Sequence, residues 1–392
     1  MPTSTNNGFL VVADITGYTT YLNHSELEHA QDVLKTLLDL LIGHTRPPLV
    51  LSGLEGDAVL SYTIDSDRFE GQAFVEMIET TYVAFKRAID LMVMNTTCKC
   101  NACANINNLD LKFFVHHGEF FVQELGGGEE LVGSDVNLIH RVLKNGIVET
   151  TGCRAYTFYT QPAVDRLQLF GFEDDLLEYS EEFADVGLVI GRVMDMKPIW
   201  EIRKDQSDLD IDDDRTANFV EEYPLPPELI WGYLTNPETR AVYSGAVRQA
   251  AHGRRNGRVS AGTVYECFHG DGSVSTNTVL EWRPFTRMVT QNTLTKKTSF
   301  IATFELEPTD DGTRVVMKYR RPQGPRIESV VLSVLWALIY KRREGRGMGK
   351  LRELIEEDIA EGRVVVPMEA AMVSDEIRDA AASEALANLA SG

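Results

Sequence analysis

Two aspartates follow apolar segments near the start of the chain, where their carboxylates could hold metal ions. Asp14 ends the run GFLVVAD, and Asp57 follows Gly56 at a turn between two extended pieces of residues 48–62. Carboxylate oxygens suit Mg²⁺ and Mn²⁺, and a pair of such cations can activate a hydroxyl nucleophile and neutralise a phosphate leaving group. Each aspartate alone is an ordinary turn former. Together they are candidate ligands of a two-metal site for phosphoryl chemistry.

The residues after Asp14 could bind phosphate through the backbone. The pattern predicts that the chain passes from strand to helix around Gly17. The first N–H groups of a helix and its positive dipole end attract anions, and a glycine lets the backbone approach a ligand closely. Gly17, Tyr18 and Thr19 are therefore expected to bind the β- and γ-phosphates of a nucleoside triphosphate.

Three cysteines lie within six residues, at Cys98, Cys100 and Cys103. Short spacings of this kind let thiolates converge on one soft ion such as Zn²⁺. A zinc ion there would be structural, since three thiolates leave little room for a phosphate ligand. Without a metal, the same residues form a reduced, partly exposed loop, and the sequence leaves both alternatives open. The fourth ligand would come from more distant candidates: His24, His116, His117 or Cys153.

Alternating strands and helices must position these groups in the first 204 residues. Apolar residues at helical spacing predict helices, and short apolar runs bounded by turn residues predict strands. The predicted order is strand 8–14, helix 22–44, hairpin 48–62, helix 70–94, a Cys/Asn-rich loop 95–108, two extended segments in 109–125, helix 134–144, and strands 156–160 and 193–203. Such interleaving with hairpins predicts an α+β domain with a mainly antiparallel sheet.

An acidic segment divides the chain of 392 residues. Residues 205–214 (DQSDLDIDDD) hold six aspartates and little that could be buried, which predicts a solvated linker. After it we predict strand 219–223, helix 226–235, strands 263–268, 273–282, 288–294, 299–306 and 313–319, and a closing helix 327–360. The second domain is thus placed at 215–360, and a tail of residues 361–392 follows it.

The overall charge excludes some classes of partner. With 38 Lys+Arg against 59 Asp+Glu, the net charge is -21, which repels phosphate backbones, so no nucleic acid partner is expected. The N-terminal residues do not resemble a signal peptide, and the apolar run 330–340 is shorter than the roughly 20 residues that span a bilayer. Five cysteines, an odd number, favour a reduced compartment. We therefore expect a cytoplasmic protein without a transmembrane segment.

Three motifs give the first domain a resemblance to the catalytic domain of class III nucleotidyl cyclases. Residues 14–19 (DITGYT) are similar to the family signature D-I-x-G-F-T, and residues 56–57 (GD) to its second metal motif. Residues 132–141 (VGSDVNLIHR) are similar to V-G-x-x-V-N-x-x-x-R, and the preceding residues 116–118 (HHG) resemble an H-x-G run. Because the motifs occur in the family's order, the resemblance implies a ferredoxin-like domain over residues 1–204.

The resemblance also implies an activity and its residues. It implies conversion of a nucleoside triphosphate, ATP as the first expectation, to a 3′,5′-cyclic nucleotide and pyrophosphate. Asp14, Ile15 and Asp57 would bind two Mg²⁺ or Mn²⁺ ions. Asn137 would orient the ribose, and the planar guanidinium of Arg141 would stabilise charge on the α-phosphate. Because active sites in this family form between two subunits, a homodimer is implied as well.

The base-binding positions depart from the family pattern. Adenylyl cyclases commonly carry a lysine four residues before the second metal aspartate, where this chain has Gly53, and Glu130 stands at the usual aspartate position. Glu130 could accept the adenine amino proton, whereas Gly53 supplies no side-chain contact to adenine N1. The alternative function is a catalytically inactive, cyclase-like module that binds a nucleotide or dimerises.

The second domain resembles the START-like, polyketide-cyclase-like (SRPBCC) helix-grip fold. The resemblance rests on the order of a strand, a helix, a run of antiparallel strands and a long helix over residues 215–360. The resemblance implies a cavity between the sheet and the long helix that binds a hydrophobic small molecule. Binding of this molecule would regulate the first domain. Five residues would line this cavity or simply form the core: Val330, Val331, Val334, Leu335 and Leu338. No residue of this domain indicates catalysis.

Overall fold

The computed structural model describes residues 5–65, 71–95, 98, 100–125, 128–169, 176–204, 217–252, 259–325, 331–332 and 341–364. The chain forms two compact units, and the division between them falls near residue 207. The predicted linker 205–214 and all but the first residues of the predicted tail lie outside the described residues. Each unit has a sheet of its own.

Four strands begin the sheet of the first unit: β1 (Asn6–Thr16), β2 (Val50–Glu55), β3 (Ala58–Ile64) and β4 (Asp110–Leu125). They lie in the order β2-β3-β1-β4, and each neighbouring pair is antiparallel. With helices after the first and third strands, this order is the ferredoxin-like arrangement. The predicted ferredoxin-like, α+β fold class is therefore confirmed for the first unit.

Four further strands extend this sheet: β5 (Gly128–Val132), β6 (Tyr156–Thr160), β7 (Leu176–Phe183) and β8 (Gly187–Asp195). β5 folds back on β4, and β6 pairs with β4 in the parallel direction. β8 and β7 then add antiparallel pairs at the edge. The sheet is thus mainly antiparallel, as predicted.

The first unit also contains a set of helices, which pack on this sheet and on one another. They are α1 (Tyr18–Asn23), α2 (Leu27–Thr45), α3 (Gly71–Asn95), α4 (Asn101–Asn105), α5 (Ser134–Val142), α6 (Ile147–Thr151), α7 (Gln161–Leu167) and α8 (Lys197–Arg203), with a 3₁₀ turn at Ile106–Asn108. The predicted loop 95–108 therefore contains α4 and the 3₁₀ turn.

Strand β1 is covered on both faces. Leu10 and Val12 belong to a buried cluster that includes Ile139 of α5. Phe9 points the other way and stacks on Phe74 of α3, with ring centres 5.0 Å apart. Because successive side chains of a strand point to opposite faces, burial on both sides requires a continuous apolar run, which the sequence GFLVVAD supplies.

Three predicted elements of the first unit differ in the structure. The predicted helix 22–44 is divided between α1 and α2, and the two extended segments of 109–125 are the single strand β4, most of which pairs with β1. The predicted strand 193–203 was wrong beyond Asp195. There Pro198 fits the first turn of α8, and the Asp195 carboxylate accepts a 3.0 Å hydrogen bond from the Lys197 N–H. The hairpin of β7 and β8 was not predicted as such.

The second unit combines a seven-stranded antiparallel sheet with helices. The strands are β9 (Ala217–Tyr223), β10 (Arg248–His252), β11 (Val264–Phe268), β12 (Val274–Arg283), β13 (Arg287–Thr293), β14 (Ser299–Thr309) and β15 (Gly312–Tyr319). They follow the order β10-β11-β12-β13-β14-β15-β9. The helices are α9 (Pro227–Thr235), α10 (Pro237–Ser244) and α11 (Lys341–Ala360). The α+β prediction is confirmed here too, and α10 was not predicted.

Part of the predicted closing helix can be compared with the structure. Its described portion, α11, buries Leu351 and Ile355. Of the five residues expected to line a cavity, Val331 is 52% exposed, and the other four lie outside the described residues. Across the described part of the chain, no helix is both long enough and apolar enough to span a membrane.

Candidate functional site

Asp14 lies at the carboxyl end of β1, where the strand leaves the core. It is paired opposite Ala58 of β3 on one side and Lys112 of β4 on the other. Its neighbours Ala13 and Ile15 are buried, whereas Asp14 itself is only partly buried. The central strand therefore fixes this carboxylate at the edge of the core.

Asp57 is held beside Asp14 by the turn before β3. Gly56 has a φ of 66°, in the left-handed region that glycine adopts readily, and this allows the tight reversal from β2 to β3. The Asp57 carbonyl accepts a 3.3 Å hydrogen bond from the Ile15 N–H. The structure thus brings together the two aspartates that the sequence placed on neighbouring strand ends.

A pocket of about 200 Å³ lies at this end of the sheet. Its lining consists of the continuous segment 14–20 together with Asp57 and Lys112. Gly17 has a φ of 89°, and its carbonyl accepts a 2.9 Å hydrogen bond from the Tyr21 N–H at the start of α1. The residues expected to bind metal (Asp14, Ile15, Asp57) and phosphate (Gly17, Tyr18, Thr19) therefore share one pocket.

Replacing Gly17 by alanine should destabilise the first unit. A Cβ atom at Gly17 would lie 3.0 Å from the carbonyl oxygen of Asn108, and the positive φ adds backbone strain. We expect a loss of about 1–3 kcal/mol in the free energy of unfolding, measured by calorimetry of the full chain. Gly43→Ala is the matched control, since a Cβ there meets nothing within 4 Å and alanine favours the helix. Equal effects of the two substitutions would contradict this account of the turn.

The surroundings of Asp14 and Asp57 disfavour the charged form of each carboxyl group. Burial and the nearby charge of Asp57 raise the pKa of Asp14 from 3.8 to about 6, and Lys112 opposes the rise. Burial also raises the pKa of Asp57, against the effects of a backbone hydrogen bond and of Lys112. Because two partly buried anions disfavour each other, a divalent cation between them would be stabilised, and oxygen ligands suit Mg²⁺ or Mn²⁺.

Asp14→Asn should therefore stabilise the protein at pH 8 in buffer without added Mg²⁺ or Mn²⁺. Between pH 3.8 and about 6 the folded protein holds more protons on Asp14 than the unfolded chain does, so the stability contributed by Asp14 falls as the pH rises. At 1.36 kcal/mol per pH unit, the gain on substitution has an upper limit of about 3 kcal/mol. This gain in the free energy of unfolding should vanish near pH 4. Calorimetry at both pH values measures it, with exposed Asp32→Asn as the control; a gain that is the same at pH 4 and pH 8 would contradict the raised pKa.

Lys112 is a residue of this pocket that sequence analysis missed. It faces Asp14 across the β1–β4 pairing, and its Nζ lies 5.5 Å from the centre of the Tyr156 ring. A cation at this position can bind the phosphates of a nucleotide. The available signal was a lysine within the apolar strand sequence LDLKFFV, but its partner depended on the register between β1 and β4.

Asn137 and Arg141 are positioned apart from the aspartates. Both lie on α5 and are exposed, and neither is among the described residues that line the pocket. The Arg141 side chain is 56% exposed, and its Nη2 lies 3.9 Å from the carboxylate of Asp185, whose side chain is 83% exposed. Such a surface ion pair holds the side chain only weakly. Within one chain, the structure therefore does not complete the set of predicted catalytic residues.

The run of residues 116–118 anchors the start of α5. The Asp135 carboxylate accepts a 2.7 Å hydrogen bond from the Glu119 N–H, and its other oxygen lies 3.4 Å from His116 Nε2. A Cβ at Gly118 would lie 2.2 Å from this carboxylate, so a larger residue there would displace the Asp135 side chain. Burial lowers the pKa of His116, although the charge of Asp135 opposes this effect. The H-x-G run thus fixes the helix that carries Asn137.

The two base-binding candidates lie on β2 and β5. Gly53 follows a bulge in β2, and a Cβ there would meet nothing within 4 Å. Glu130 is exposed on β5, opposite Gln123 of β4. β5 contacts β2, although the two strands are not paired in the sheet.

In the structure, a histidine that the sequence did not indicate lies beside the three cysteines. Nδ1 of His29, in the first turn of α2, lies 3.2, 3.6 and 3.8 Å from the Sγ atoms of Cys100, Cys98 and Cys103. None of the four residues predicted as a possible fourth ligand belongs to this group. His116 contacts Thr160 and Asp135, and His117 contacts Asp65; the remaining two, His24 and Cys153, are not in the group either. Folding α2 against the cysteine segment selects His29, which no local spacing could show.

Comparison with known families finds a separate match in each unit. Residues 217–356 match the model of a family described as polyketide cyclase / dehydrase and lipid transport. The second unit is similar to this family. This confirms the resemblance expected from its order of elements. Residues 34–151 match a family described as a protein of unknown function, DUF2652, and this span contains Asp57, the cysteines and the third motif.

Individual relatives and solved structures give further similarities. An uncharacterized protein of Mycobacterium tuberculosis is 44% identical over 50 residues, which are 13% of this chain and 24% of that protein, so the chain matches about a quarter of the relative's length. The adenylyl cyclase CyaB of P. aeruginosa is 15% identical, with a TM-score of 0.37, over 50% of this chain and 97% of that one. The guanylyl cyclase Cya2 is 16% identical, with a TM-score of 0.37, over 49% and 94%.

Proposed function

We propose that the first unit is the catalytic domain of a nucleotidyl cyclase, which converts a nucleoside triphosphate to a 3′,5′-cyclic nucleotide, a signalling molecule, and pyrophosphate. The observation that carries the proposal is the pair Asp14 and Asp57, held side by side at neighbouring strand ends in a pocket walled by the Gly17 turn. The raised pKa of each carboxylate supports a role in holding cations.

Asp14 and Asp57 would hold two Mg²⁺ or Mn²⁺ ions. The side chain of Ile15 is a buried hydrocarbon, so only its backbone carbonyl could join them. When bound, such ions activate the ribose 3′ hydroxyl and neutralise charge on the leaving pyrophosphate.

The chain's own groups would bind the rest of the triphosphate. Lys112 and the Gly17–Thr19 turn line the same pocket, and the Lys112 ammonium and the backbone N–H groups of the turn would bind the β- and γ-phosphates. In the reaction, a bond forms between the ribose 3′ oxygen and the α-phosphorus, the bond from the α-phosphorus to the oxygen of pyrophosphate breaks, and the proton of the 3′ hydroxyl is released to water. Lys112 would remain with the departing pyrophosphate.

We further propose that two copies of the chain form each active site. The exposed positions of Asn137 and Arg141, outside the pocket of their own chain, support a homodimer in which a second copy supplies them. Asn137 would orient the ribose, and Arg141 would stabilise charge on the α-phosphate. ATP is the first substrate to test, since Glu130 could accept the adenine amino proton while Gly53 contributes no side chain. The cytoplasm, where nucleoside triphosphates and reduced thiols occur, is the proposed compartment.

A nucleotide screen tests this function. ATP, GTP, CTP and UTP are each incubated with the purified full chain and Mg²⁺ or Mn²⁺, and products are identified by mass spectrometry. We expect a cyclic nucleotide from at least one of them. Absence of any cyclic product with all four nucleotides and both metals would reject the proposal.

A second candidate function is a binding protein without turnover. The match of residues 217–356 to a family that includes lipid transport favours a hydrophobic ligand in the second unit, and the departures at Gly53 and Glu130 favour nucleotide binding without catalysis in the first. Calorimetric titration distinguishes the two functions: saturable nucleotide binding by a chain that forms no cyclic product supports the binding protein. If the first function holds, the hydrophobic ligand would act as a regulator of the cyclase.

A further inference from the structure

We propose that His29, Cys98, Cys100 and Cys103 bind one zinc ion, and that this ion fastens the segment behind the phosphate-binding turn to helix α2. The four ligand atoms all lie within 4.8 Å of one another. No part of this cluster belongs to the pocket of Asp14 and Asp57.

The distances fit a shared ion better than hydrogen bonds. With Zn–S of about 2.3 Å and Zn–N of about 2.0–2.1 Å, a tetrahedral site separates nitrogen from sulfur by about 3.5 Å. The three separations from His29 Nδ1, at 3.2, 3.6 and 3.8 Å, lie around that value. A single ring nitrogen carries one hydrogen or one lone pair, so it can hydrogen-bond to one sulfur at a time. Proximity to all three sulfurs is what a common cation requires.

The donor set selects the kind of metal and its role. Three thiolates and one imidazole are soft or borderline ligands, which favour Zn²⁺ over Mg²⁺ or Mn²⁺. Four protein ligands close a tetrahedral site, so no position is left for a substrate. The Cys103 N–H also donates a 3.4 Å hydrogen bond to the Cys100 sulfur, a contact that stabilises a metal-bound thiolate.

The ion would tie two parts of the first unit that are far apart in sequence. His29 lies on α2, and the cysteines lie in the segment that joins α3 to β4. A second contact reinforces the same junction, because the Glu26 carboxylate accepts a 3.0 Å hydrogen bond from the Ala102 N–H. The segment that joins α3 to β4 is therefore held to the start of α2 by the Glu26 side chain as well as by the proposed ion.

The fastened segment runs directly to the nucleotide pocket. It continues through the 3₁₀ turn, whose Asn108 carbonyl oxygen would lie 3.0 Å from a Cβ at Gly17. Four residues later comes Lys112, opposite Asp14. Zinc binding should thus restrain the backbone that supports the Gly17 turn and the strand that carries Lys112.

Metal analysis of the full chain tests the site. Protein produced in zinc-containing medium should hold one Zn per chain by atomic emission, and replacement by Co²⁺ should give the visible absorption of a tetrahedral, thiolate-bound ion. His29→Ala should lower the zinc affinity at least about 100-fold, since even loss of an outer hydrogen bond costs 10–100-fold. His24→Ala, an exposed histidine outside the cluster, is the matched control and should keep the wild-type affinity. A zinc content near zero with no Co²⁺ uptake, or equal affinities in the two variants, would overturn the proposal.

Hydrogen exchange of the wild-type chain tests whether zinc holds the segment between α3 and β4 against α2, and it needs no variant. Removal of zinc with a chelator should speed exchange of the described amides in 100–112 at least about tenfold, while the β7–β8 hairpin should be unaffected. Unchanged exchange in 100–112 would overturn the structural role. Because these measurements concern metal content and local stability, they do not depend on cyclase activity, and failure of one proposal leaves the other standing.

Discussion

Asp57→Asn and Asp14→Asn should each lower the rate of cyclic nucleotide formation at least about 10³-fold, because each removes an anionic ligand worth several kcal/mol of transition-state stabilisation. Both side chains lie at the pocket, and neither contributes to the apolar core. Steady-state assays with the preferred nucleotide and saturating Mn²⁺ measure the effect.

For Asp14→Asn, calorimetry in buffer without added Mg²⁺ or Mn²⁺ separates loss of activity from unfolding. At neutral pH and above, the neutral side chain at position 14 should raise the stability of the fold, for the reason given by the raised pKa of Asp14. Asp32→Asn makes the same change of charge on the exposed surface of α2 and should keep activity within about twofold. If Asp14→Asn kept more than about a tenth of the wild-type rate, the two-metal account would be wrong.

The second large effect is recovery of activity when two inactive variants are mixed. Arg141→Ala should be inactive by itself, as should Asp57→Asn. In a heterodimer of the two, one site combines the intact aspartates of one chain with the intact Asn137 and Arg141 of the other. Random pairing of equal amounts places half the chains in heterodimers with one active site each, so about a quarter of the wild-type activity should return.

A matched mixture controls this experiment. Asp14→Asn and Asp57→Asn damage the same half of the site, so their heterodimer contains no intact site and should stay inactive. Co-expression with two affinity tags provides the heterodimers. Recovery in the first mixture alone supports a site formed between two chains, whereas no recovery in a purified heterodimer of Asp57→Asn and Arg141→Ala would contradict it.

The local features of the site could be predicted from sequence because short segments determine them. The apolar run of β1 ends at Asp14, the glycine of the Gly56 turn reverses the chain before β3, and the Gly17 turn starts a helix. Each depends on a few consecutive residues whose backbone preferences agree with the fold. The same holds for α5, where a spacing of four places Asn137 and Arg141 on one face.

Features that depend on long-range packing could not be predicted. Lys112 joins the pocket only through the register of β4 against β1, which pairs residues about a hundred positions apart in the sequence. His29 approaches the cysteines only when α2 packs beside α4, about seventy residues later. The strand expected at 193–203 failed for a local reason, since Pro198 was a helix-start signal within an apolar run.

The most direct test of the central claim is the phosphorus balance of the wild-type reaction. ³¹P NMR of the full chain with its preferred nucleoside triphosphate and Mg²⁺ or Mn²⁺ follows every phosphorus atom. The proposed reaction predicts a cyclic nucleotide and pyrophosphate in equal amounts, with no orthophosphate. Release of orthophosphate with a nucleoside diphosphate, or no consumption of any triphosphate, would contradict it.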